Sequence, residues 1–276
     1  MENQTKSLEI KLEIMNVVNK CMMKINSTYD SVALIYHTLK AFDSDFIPPL
    51  ETDNLPIRIE TNEVKTGKMI KENALNWLFC KTFEDFIVGL NDSLIEAYIV
   101  AKISELHKEN HDGCSVEQVQ AKIDEIKKKP IKMYIPALIE EIEKSIGKSL
   151  FSREEILSIN KVRRCLVHRN GLVSSEDTNN DEKTTLVLKC LEMKVFRDHD
   201  GKMIPLTMED KKDGVLINKA TFEIVPKVVE FAIGEKVKMD ANILNAITYT
   251  SITFVKELLK SMPIDFQSKE IDYTIG

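Results

Sequence analysis

The chain has 276 residues, of which 43% are hydrophobic and 30% are charged, with a formal net charge of −6. This balance is typical of a globular protein with a sizeable core, and the acidic charge argues against a protein that coats nucleic acid by bulk positive charge. The sequence contains no apolar run long enough for a transmembrane helix, and its mixed N-terminus lacks a signal-peptide core, so a cytoplasmic protein without membrane contact is expected.

The cysteines are widely scattered and none belongs to a CxxC pair, which favours reduced thiols over a disulfide framework or structural zinc. His107 and His111 are spaced like metal ligands, but Lys108 stands where the pattern H-E-x-x-H needs glutamate. Neither a metal nor a cofactor is therefore expected. The five cysteines are Cys21, Cys80, Cys114, Cys165 and Cys190.

Apolar residues recur three and four apart through most of the first 170 residues, which predicts mainly helix. Two antiparallel helices are expected over Leu8–Ile25 and Tyr29–Phe42, joined at the polar Asn26–Thr28. A proline-rich loop over residues 47–60 follows, because proline is excluded from helix interiors.

The longest helical pattern runs from Met69 to about His107, as one core helix or as a pair broken near Gly89–Ser93. Ser115 and Gln118 have the S-x-x-Q spacing of a capping box. That box predicts a helix that begins after Ser115 and ends near Lys128.

Two more helices are predicted before the chain changes character. Ile135–Ile146 has a helical pattern and is followed by Gly147, a residue that readily adopts a left-handed closing conformation. Ser152 and Glu155 have the spacing of a second capping box, which predicts a helix over Arg153–Gly171.

Branched residues then predict strands. Thr185–Phe196 and Lys202–Leu206 flank an Asp-Gly turn and are expected to pair antiparallel. Further extended segments are expected at Val215–Ile217 and Val228–Ile233.

A final helix is expected from its cap, Asp240, to Pro263. The predicted fold is mainly α: a helical bundle in a single domain with a small antiparallel β insertion before the last helix. The helical part covers about residues 1–171, the insertion about 185–235 and the final helix about 241–261. The apolar face of that last helix would carry Leu244, Ile247, Phe254, Val255 and Leu258.

The stretch KVRRCLVHRNG, residues 161–171, concentrates three arginines, a lysine and a histidine in an acidic protein. Projected on a helix, Arg163 falls at the edge of the apolar face. A guanidinium there is costly unless it meets an anion, a carboxylate or a second chain, so this position predicts a partner for Arg163. The apolar face itself comprises Ile156, Ile159, Val162 and Leu166.

Arg163 and His168 of one regular helix point about 140° apart, which arranges the pair poorly within one protomer. If two copies of the helix packed about a two-fold axis, each arginine could reach towards the histidine of the other copy. A homodimer with a self-complementary cleft is the expected arrangement.

These residues resemble the R-x4-6-H signature of the HEPN superfamily, the higher eukaryotes and prokaryotes nucleotide-binding domain. Arg163 matches the motif arginine and His168 the motif histidine, and the continuation through Arg169, Asn170 and Gly171 is similar to that of some members. The residue after the motif arginine is usually Asn, Asp or His in the family, whereas this chain has Arg164.

The resemblance implies an all-helical homodimer that acts as a metal-independent endoribonuclease, as do many members in toxin, CRISPR and phage-defence systems. It implies a composite active site at the dimer interface, with Arg163 and His168 catalytic, and possible control by an antitoxin or other regulatory partner. RNA cleavage needs a proton-transfer group and cations that stabilise the phosphorane, roles that suit histidine and arginine. Arg164, Arg169 and Asn170 are then expected to bind the RNA substrate.

Two other functions fit the same residues. The arginines could hold RNA, a nucleotide or the carboxylates of a partner protein without catalysis, or the basic segment could be a structural clasp at an interface. The acidic residues 176–182 are expected to form a connecting loop, or a gate beside the basic site.

Overall fold

The computed structural model describes residues 12–41, 67–109, 115–180, 182–199, 202–206 and 220–263. In these residues the fold is mainly helical, with three antiparallel strands before the last helix, as predicted. The elements in chain order are α1 (Asn16–Ala41), α2 (Gly67–Lys108), α3 (Val116–Lys128), α4 (Ile135–Ile146), α5 (Arg153–Arg169), β1 (Thr185–His199), β2 (Lys202–Pro205), β3 (Ala220–Ala232) and α6 (Ala241–Ser261).

Helix α2 lies at the centre of the fold and contacts α1, α3, α4, α5 and α6. Its middle carries the largest buried side chains of the core, and apolar groups occur on several of its sides, as expected for a helix surrounded by others. One continuous apolar core joins α2 to the sheet and to the other long helices. The α2 residues at its centre are Phe83, Phe86, Leu90, Leu94 and Tyr98.

Helix α1 corrects the prediction of two helices joined at Asn26–Thr28, because the chain continues through these residues as one helix. Ser27 Oγ and Thr28 Oγ1 both donate to the backbone carbonyl of Lys24, at 3.1 and 2.8 Å. Polar hydroxyl groups can remain inside a helix when they bond back to the preceding turn, and no glycine or proline interrupts this one.

Helix α2 is unbroken, which decides between the two predictions for this segment. Gly89 permits a close approach of α1 and does not break the helix. A Cβ atom at position 89 would lie 2.6 Å from Lys24 Cβ and 3.3 Å from Cys21 Cα, so only glycine fits without a shift of α1. Four residues later, Ser93 Oγ accepts a hydrogen bond from the Cys21 backbone N–H at 3.0 Å.

The boundaries of α3 and α4 agree with the predictions. The Ser115 hydroxyl accepts from the Gln118 backbone N–H at 3.2 Å, and the Gln118 side chain accepts from the Ser115 N–H at 2.8 Å. This reciprocal pair confirms the capping box. Gly147 ends α4 with a left-handed φ of 70°, also as predicted.

Helix α5 begins at the predicted residue, but the predicted capping box is wrong. Ser152 has a left-handed φ of 53° and makes no capping bond. Glu143 fixes the preceding chain, since its carboxylate accepts from the Leu150 N–H at 2.8 Å and from Arg153 Nε at 3.1 Å. The helix ends at Arg169, two residues before the predicted end, because Asn170 and Gly171 both have positive φ.

The sheet has the order β2-β1-β3, and both pairs are antiparallel. The predicted pairing of β1 with β2 is confirmed. Strand β3 begins eight residues earlier than the predicted segment at Val228–Ile233, and it pairs with β1 from Thr185 to Arg197, which leaves out only the last two residues of β1. The predicted loop at 47–60, the Asp-Gly turn and the extended segment Val215–Ile217 lie outside the described residues.

Helix α6 returns to the helical core and contacts α1, α2, α5 and β1. Asp240 Oδ1 accepts from the Ile243 N–H at 2.7 Å, which confirms the predicted cap. The five apolar residues predicted for the inner face of α6 are all buried. In the described part of the chain no helix combines the length and hydropathy that a bilayer span requires.

Candidate functional site

A cleft of about 670 Å³ opens between α2, the start of α4 and the outer face of α5. Its volume is within the range of small-molecule and nucleotide sites. Its described lining has one apolar side and one basic side and contains no acidic residue. The lining residues are Ile87, Val88 and Asn91 of α2, Met133 to Ala137 at the start of α4, and Asn160, Arg163, Arg164 and His168 of α5.

Helix α5 brings its four lining residues to the cleft through their spacing. Asn160, Arg163, Arg164 and His168 occupy positions i, i+3, i+4 and i+8. At 100° per residue these positions lie within an arc of about 140°, with Arg163 and His168 at its two edges. The angle of 140° predicted between Arg163 and His168 around the helix axis therefore equals the angular width of the α5 face that lines the cleft.

The opposite face of α5 fixes this orientation. Ile156, Ile159 and Val162 are fully buried in the core, and Cys165 is buried next to them. Rotation of α5 about its axis would expose these side chains and bury the arginines, which is unfavourable on both counts. The apolar stripe thus holds the basic residues towards the cleft.

The basic residues of the cleft have no acidic partner among the described residues. Arg163 is half-buried, whereas Arg164 and His168 are exposed, and none of the three forms an ion pair with a described carboxylate. The other two arginines of α5, Arg153 and Arg169, are both paired with carboxylates. The cleft therefore carries uncompensated positive charge that suits an anionic ligand.

The start of α4 adds backbone donors to the same cleft. Tyr134 precedes the helix in an extended conformation, and no side chain caps the first turn. The N–H groups of Ile135 and Ala137 belong to this turn, while Pro136 has none to satisfy. A helix N-terminus carries partial positive charge, so it reinforces the preference of the arginines for an anion.

The side of the cleft formed by α2 and the start of α4 is mainly apolar. Ile87 is buried, Val88 is about half exposed and Met133 is half-buried. Tyr134 also lines this side, and with 84% of its surface exposed its ring lies at the mouth. Asn91 is the polar residue of this side.

Arg169 and Asn170, predicted to bind substrate, do not line the cleft. Arg169 Nε lies 3.2 Å from Asp177 Oδ2 and donates to Ser174 Oγ at 2.9 Å, and the guanidinium also pairs with Glu176. Asn170 closes α5 with a left-handed φ of 51°. Arg169 therefore attaches the helix end to the acidic loop, whose carboxylates at Glu176 and Asp177 bond to Arg169 and not to the residues of the cleft.

Sequence reasoning missed Asn160, Asn91 and Tyr134. Asn160 could have been found, because it precedes Arg163 by three residues on the same helical face. Asn91 and Tyr134 belong to other elements, and no spacing in the sequence indicates that they approach α5.

No described group of three or more His, Cys, Asp or Glu residues is arranged to hold a metal ion. His107 is exposed near the end of α2, while His111 and Cys114 lie outside the described residues.

Searches of protein-family models, of curated proteins and of solved structures returned no match to this chain.

Proposed function

We propose that this chain is a metal-independent endoribonuclease that acts through a HEPN-like arrangement of Arg163 and His168. The observation that carries the proposal is the convergence of two arginines, a histidine and an uncapped helix N-terminus on one cleft, where the arginines have no described ion-pair partner and the described lining has no acidic residue. Such a site attracts a phosphodiester, and it includes a side chain whose type transfers protons near neutral pH.

The reaction uses the nucleophile that RNA itself carries. The 2′-oxygen attacks the adjacent phosphorus as its proton is removed, the bond from phosphorus to the 5′-oxygen breaks, and the leaving oxygen takes up a proton. The products are a 2′,3′-cyclic phosphate and a 5′-hydroxyl. His168 is the proton-transfer group, while Arg163 and Arg164 stabilise the negative charge that grows on the phosphorane oxygens.

The geometry of α5 favours a homodimer. Arg163 and His168 must both reach one phosphodiester, yet they diverge by about 140° on the helix face that lines the cleft. Two copies about a two-fold axis bring both residue types to one shared site. Arg163 and His168 lie at opposite edges of the α5 face. Across the two-fold axis, Arg163 of one copy can therefore act together with His168 of the other copy.

A nuclease of this kind is harmful to its own cell unless it is restrained. The proposal therefore includes a role as a toxin or antiviral defence effector in the cytoplasm, held inactive by an antitoxin or another regulatory partner.

Replacement of His168 tests catalysis. The wild-type protein in EDTA should cleave mixed cellular RNA, and His168→Ala should lower the rate by at least about a hundredfold, the usual contribution of general acid–base catalysis. The matched control is His37→Ala, which removes an exposed histidine of α1 that does not line the cleft. Equal cleavage by wild type and His168→Ala would reject the proposal.

Mixing two inactive variants tests the composite site. Arg163→Gln and His168→Ala should each be inactive, but after subunit exchange a mixed dimer contains one site with both native residues. A one-to-one mixture should then recover about a quarter of the wild-type rate, since about half of the dimers are mixed and one site in each is intact. A mixture as inactive as its parents would show that each protomer uses its own pair.

A non-catalytic binding module is the second candidate, because the large apolar side and the unpaired asparagines of the cleft suit ligand recognition as well as catalysis. Wild-type protein that binds RNA tightly but leaves it intact, with binding lost in Arg163→Gln and retained in Lys256→Gln, would favour this module. Lys256 is an exposed residue of α6 that does not line the cleft, so it controls for the loss of one positive charge.

A further inference from the structure

We propose that the apolar side of the cleft, formed by α2 and the start of α4, is a nucleobase subsite, in which Asn91 of α2 and the adjoining Asn160 of α5 read the edge of one base of single-stranded RNA. The inference rests on the proposed function for its ligand class, because the phosphate would occupy the basic side of the same cleft. The subsite adds recognition of the RNA sequence, which the basic residues cannot provide because phosphate contacts carry no sequence information.

The two asparagines are the first observation. Asn91 of α2 and Asn160 of α5 are half-buried, and neither amide has a hydrogen-bond partner among the described residues. An asparagine amide offers two N–H donors and one oxygen acceptor. Neither amide is used by the described part of the fold, so both are free to bond a base edge, which has donors and acceptors of its own.

The apolar surface beside these amides is the second observation. Val88, Met133 and Pro136 give the cleft a side without charge, and Tyr134 projects its ring at the mouth. Unpaired bases of single-stranded RNA bind by stacking on aromatic and apolar side chains, with hydrogen bonds to their edges. The apolar side and the amides together meet both requirements.

The position of Asn160 relative to Arg163 connects the base to the phosphate. The two residues are three apart on α5, which separates them by about 4.5 Å along the helix axis. A ligand that places its phosphate at Arg163 therefore extends towards Asn160 within the span of one nucleotide. Adenine is the expected base, because one asparagine amide can bond its N6 amino group and its N7 atom simultaneously.

The experiment measures binding without cleavage. Hexamers of adenylate, cytidylate and uridylate, and an abasic hexamer, are titrated into His168→Ala protein by fluorescence polarisation. The adenylate hexamer should bind on the order of tenfold more tightly than the other base-bearing hexamers, as expected for one bidentate contact. Adding Asn91→Ala and Asn160→Ala together should reduce the difference to less than about twofold, because whichever amide makes the bidentate contact is then removed.

Two further variants separate base recognition from loss of folding. Tyr134→Ala should weaken the binding of all hexamers that carry bases but not of the abasic one, and its nearly complete exposure makes an effect on folding small. Asn245→Ala, which removes an exposed amide of α6, should leave every affinity unchanged. Circular dichroism melting of each variant verifies that it is folded.

The proposals of a base subsite and of ribonuclease activity can be rejected independently. Equal binding of the three base-bearing hexamers, or a preference that survives both asparagine changes, would overturn the subsite even if wild-type protein cleaves RNA. Base-dependent binding that the asparagine changes abolish would support the subsite, even if the wild-type protein cleaves no RNA and the proposed catalysis is rejected.

Discussion

Arg169 adjoins His168 in the chain, yet its side chain serves the fold. Its guanidinium bonds to Ser174 and to the carboxylate of Asp177, a side chain that is only 3% exposed. Asp177 also accepts from the Ser174 backbone N–H at 3.0 Å. The arginine therefore neutralises a buried carboxylate and attaches the acidic loop to the end of α5.

Arg169→Ala should consequently reduce stability. The change leaves Asp177 buried without its ion-pair partner, so we expect the free energy of unfolding to fall on the order of 3 kcal/mol in denaturant titrations. Arg164→Ala, which removes an exposed and unpaired arginine of the same helix, should change it by less than about 0.5 kcal/mol. Equal stability of the two variants would contradict this role for Arg169.

The buried thiols give a second prediction at the residue scale. Burial raises the pKa of both Cys21 and Cys190 from an ordinary value of 9.0 to about 12. In Cys114→Ser protein, iodoacetamide at pH 8 should therefore label these thiols slowly until denaturant is added. Because the unfolded thiols ionise first, stability should fall as the pH rises from about 9 to about 12. Rapid labelling of Cys21 or Cys190 in the native protein would contradict this assignment.

Within one helix, the sequence pattern located three of the four α5 residues that line the cleft. Arg163, Arg164 and His168 were identified from their spacing, whereas Asn160 was missed. The spacing could not show that the Arg169 side chain already bonds to other residues of the fold. Its partners lie in a loop whose path the sequence pattern does not determine. The sequence could not identify Asn91 as a cleft residue either, since packing determines which face of α2 lies towards α5.

At the scale of elements, side chains of neighbouring segments complete the sheet. Strand β2 pairs with β1 only from Phe196 onwards, so among the described residues no strand pairs with the preceding part of this β1 edge. Along that edge the N–H groups of Val187, Lys189 and Leu191 donate to side-chain oxygens at 2.6, 2.8 and 2.8 Å. The acceptors are Asn179, Ser158 and Thr250, so the loop, α5 and α6 each cover one position of the open edge.

Thr250→Val tests this covering of the β1 edge. Valine has nearly the same shape as threonine but cannot accept from the Leu191 N–H, which would remain buried without a partner. The free energy of unfolding should fall by about 1 to 3 kcal/mol. Thr248→Val is the matched control on α6, because the Thr248 hydroxyl donates only to the Leu244 carbonyl of its own helix. An equal effect of the two changes in thermal or chemical unfolding would contradict the assignment.

A local pattern can predict the start of a helix correctly and its cap wrongly, as at α5. The pattern S-x-x-[EQ] occurs before both α3 and α5, but only Ser115 forms the box. Before α5, Glu143 bonds to Leu150 and Arg153. Ser152 has a left-handed backbone conformation there, and its hydroxyl makes no bond to the first turn of α5. These contacts come from a different helix, so the local pattern does not contain them.

At the scale of the whole molecule, long-range packing assembles the site. Helices α2, α4 and α5 each contribute one side of the cleft, and α5 is supported from behind by β1 and α6. The sequence predicted a helical fold with an inserted sheet, but it did not indicate which helices are neighbours. That arrangement depends on non-local burial, such as the return of α6 to α1 and α2.

The chemical ends of the RNA products test the central claim most directly. Wild-type protein is incubated in EDTA with an RNA oligomer, with the same oligomer carrying a single 2′-deoxy position at the mapped cut, and with the DNA equivalent. Only the RNA should be cut at that position, and the fragments should end in a 2′,3′-cyclic phosphate and a 5′-hydroxyl. Fragments with a 3′-hydroxyl and a 5′-phosphate, or cleavage at the 2′-deoxy position, would contradict it.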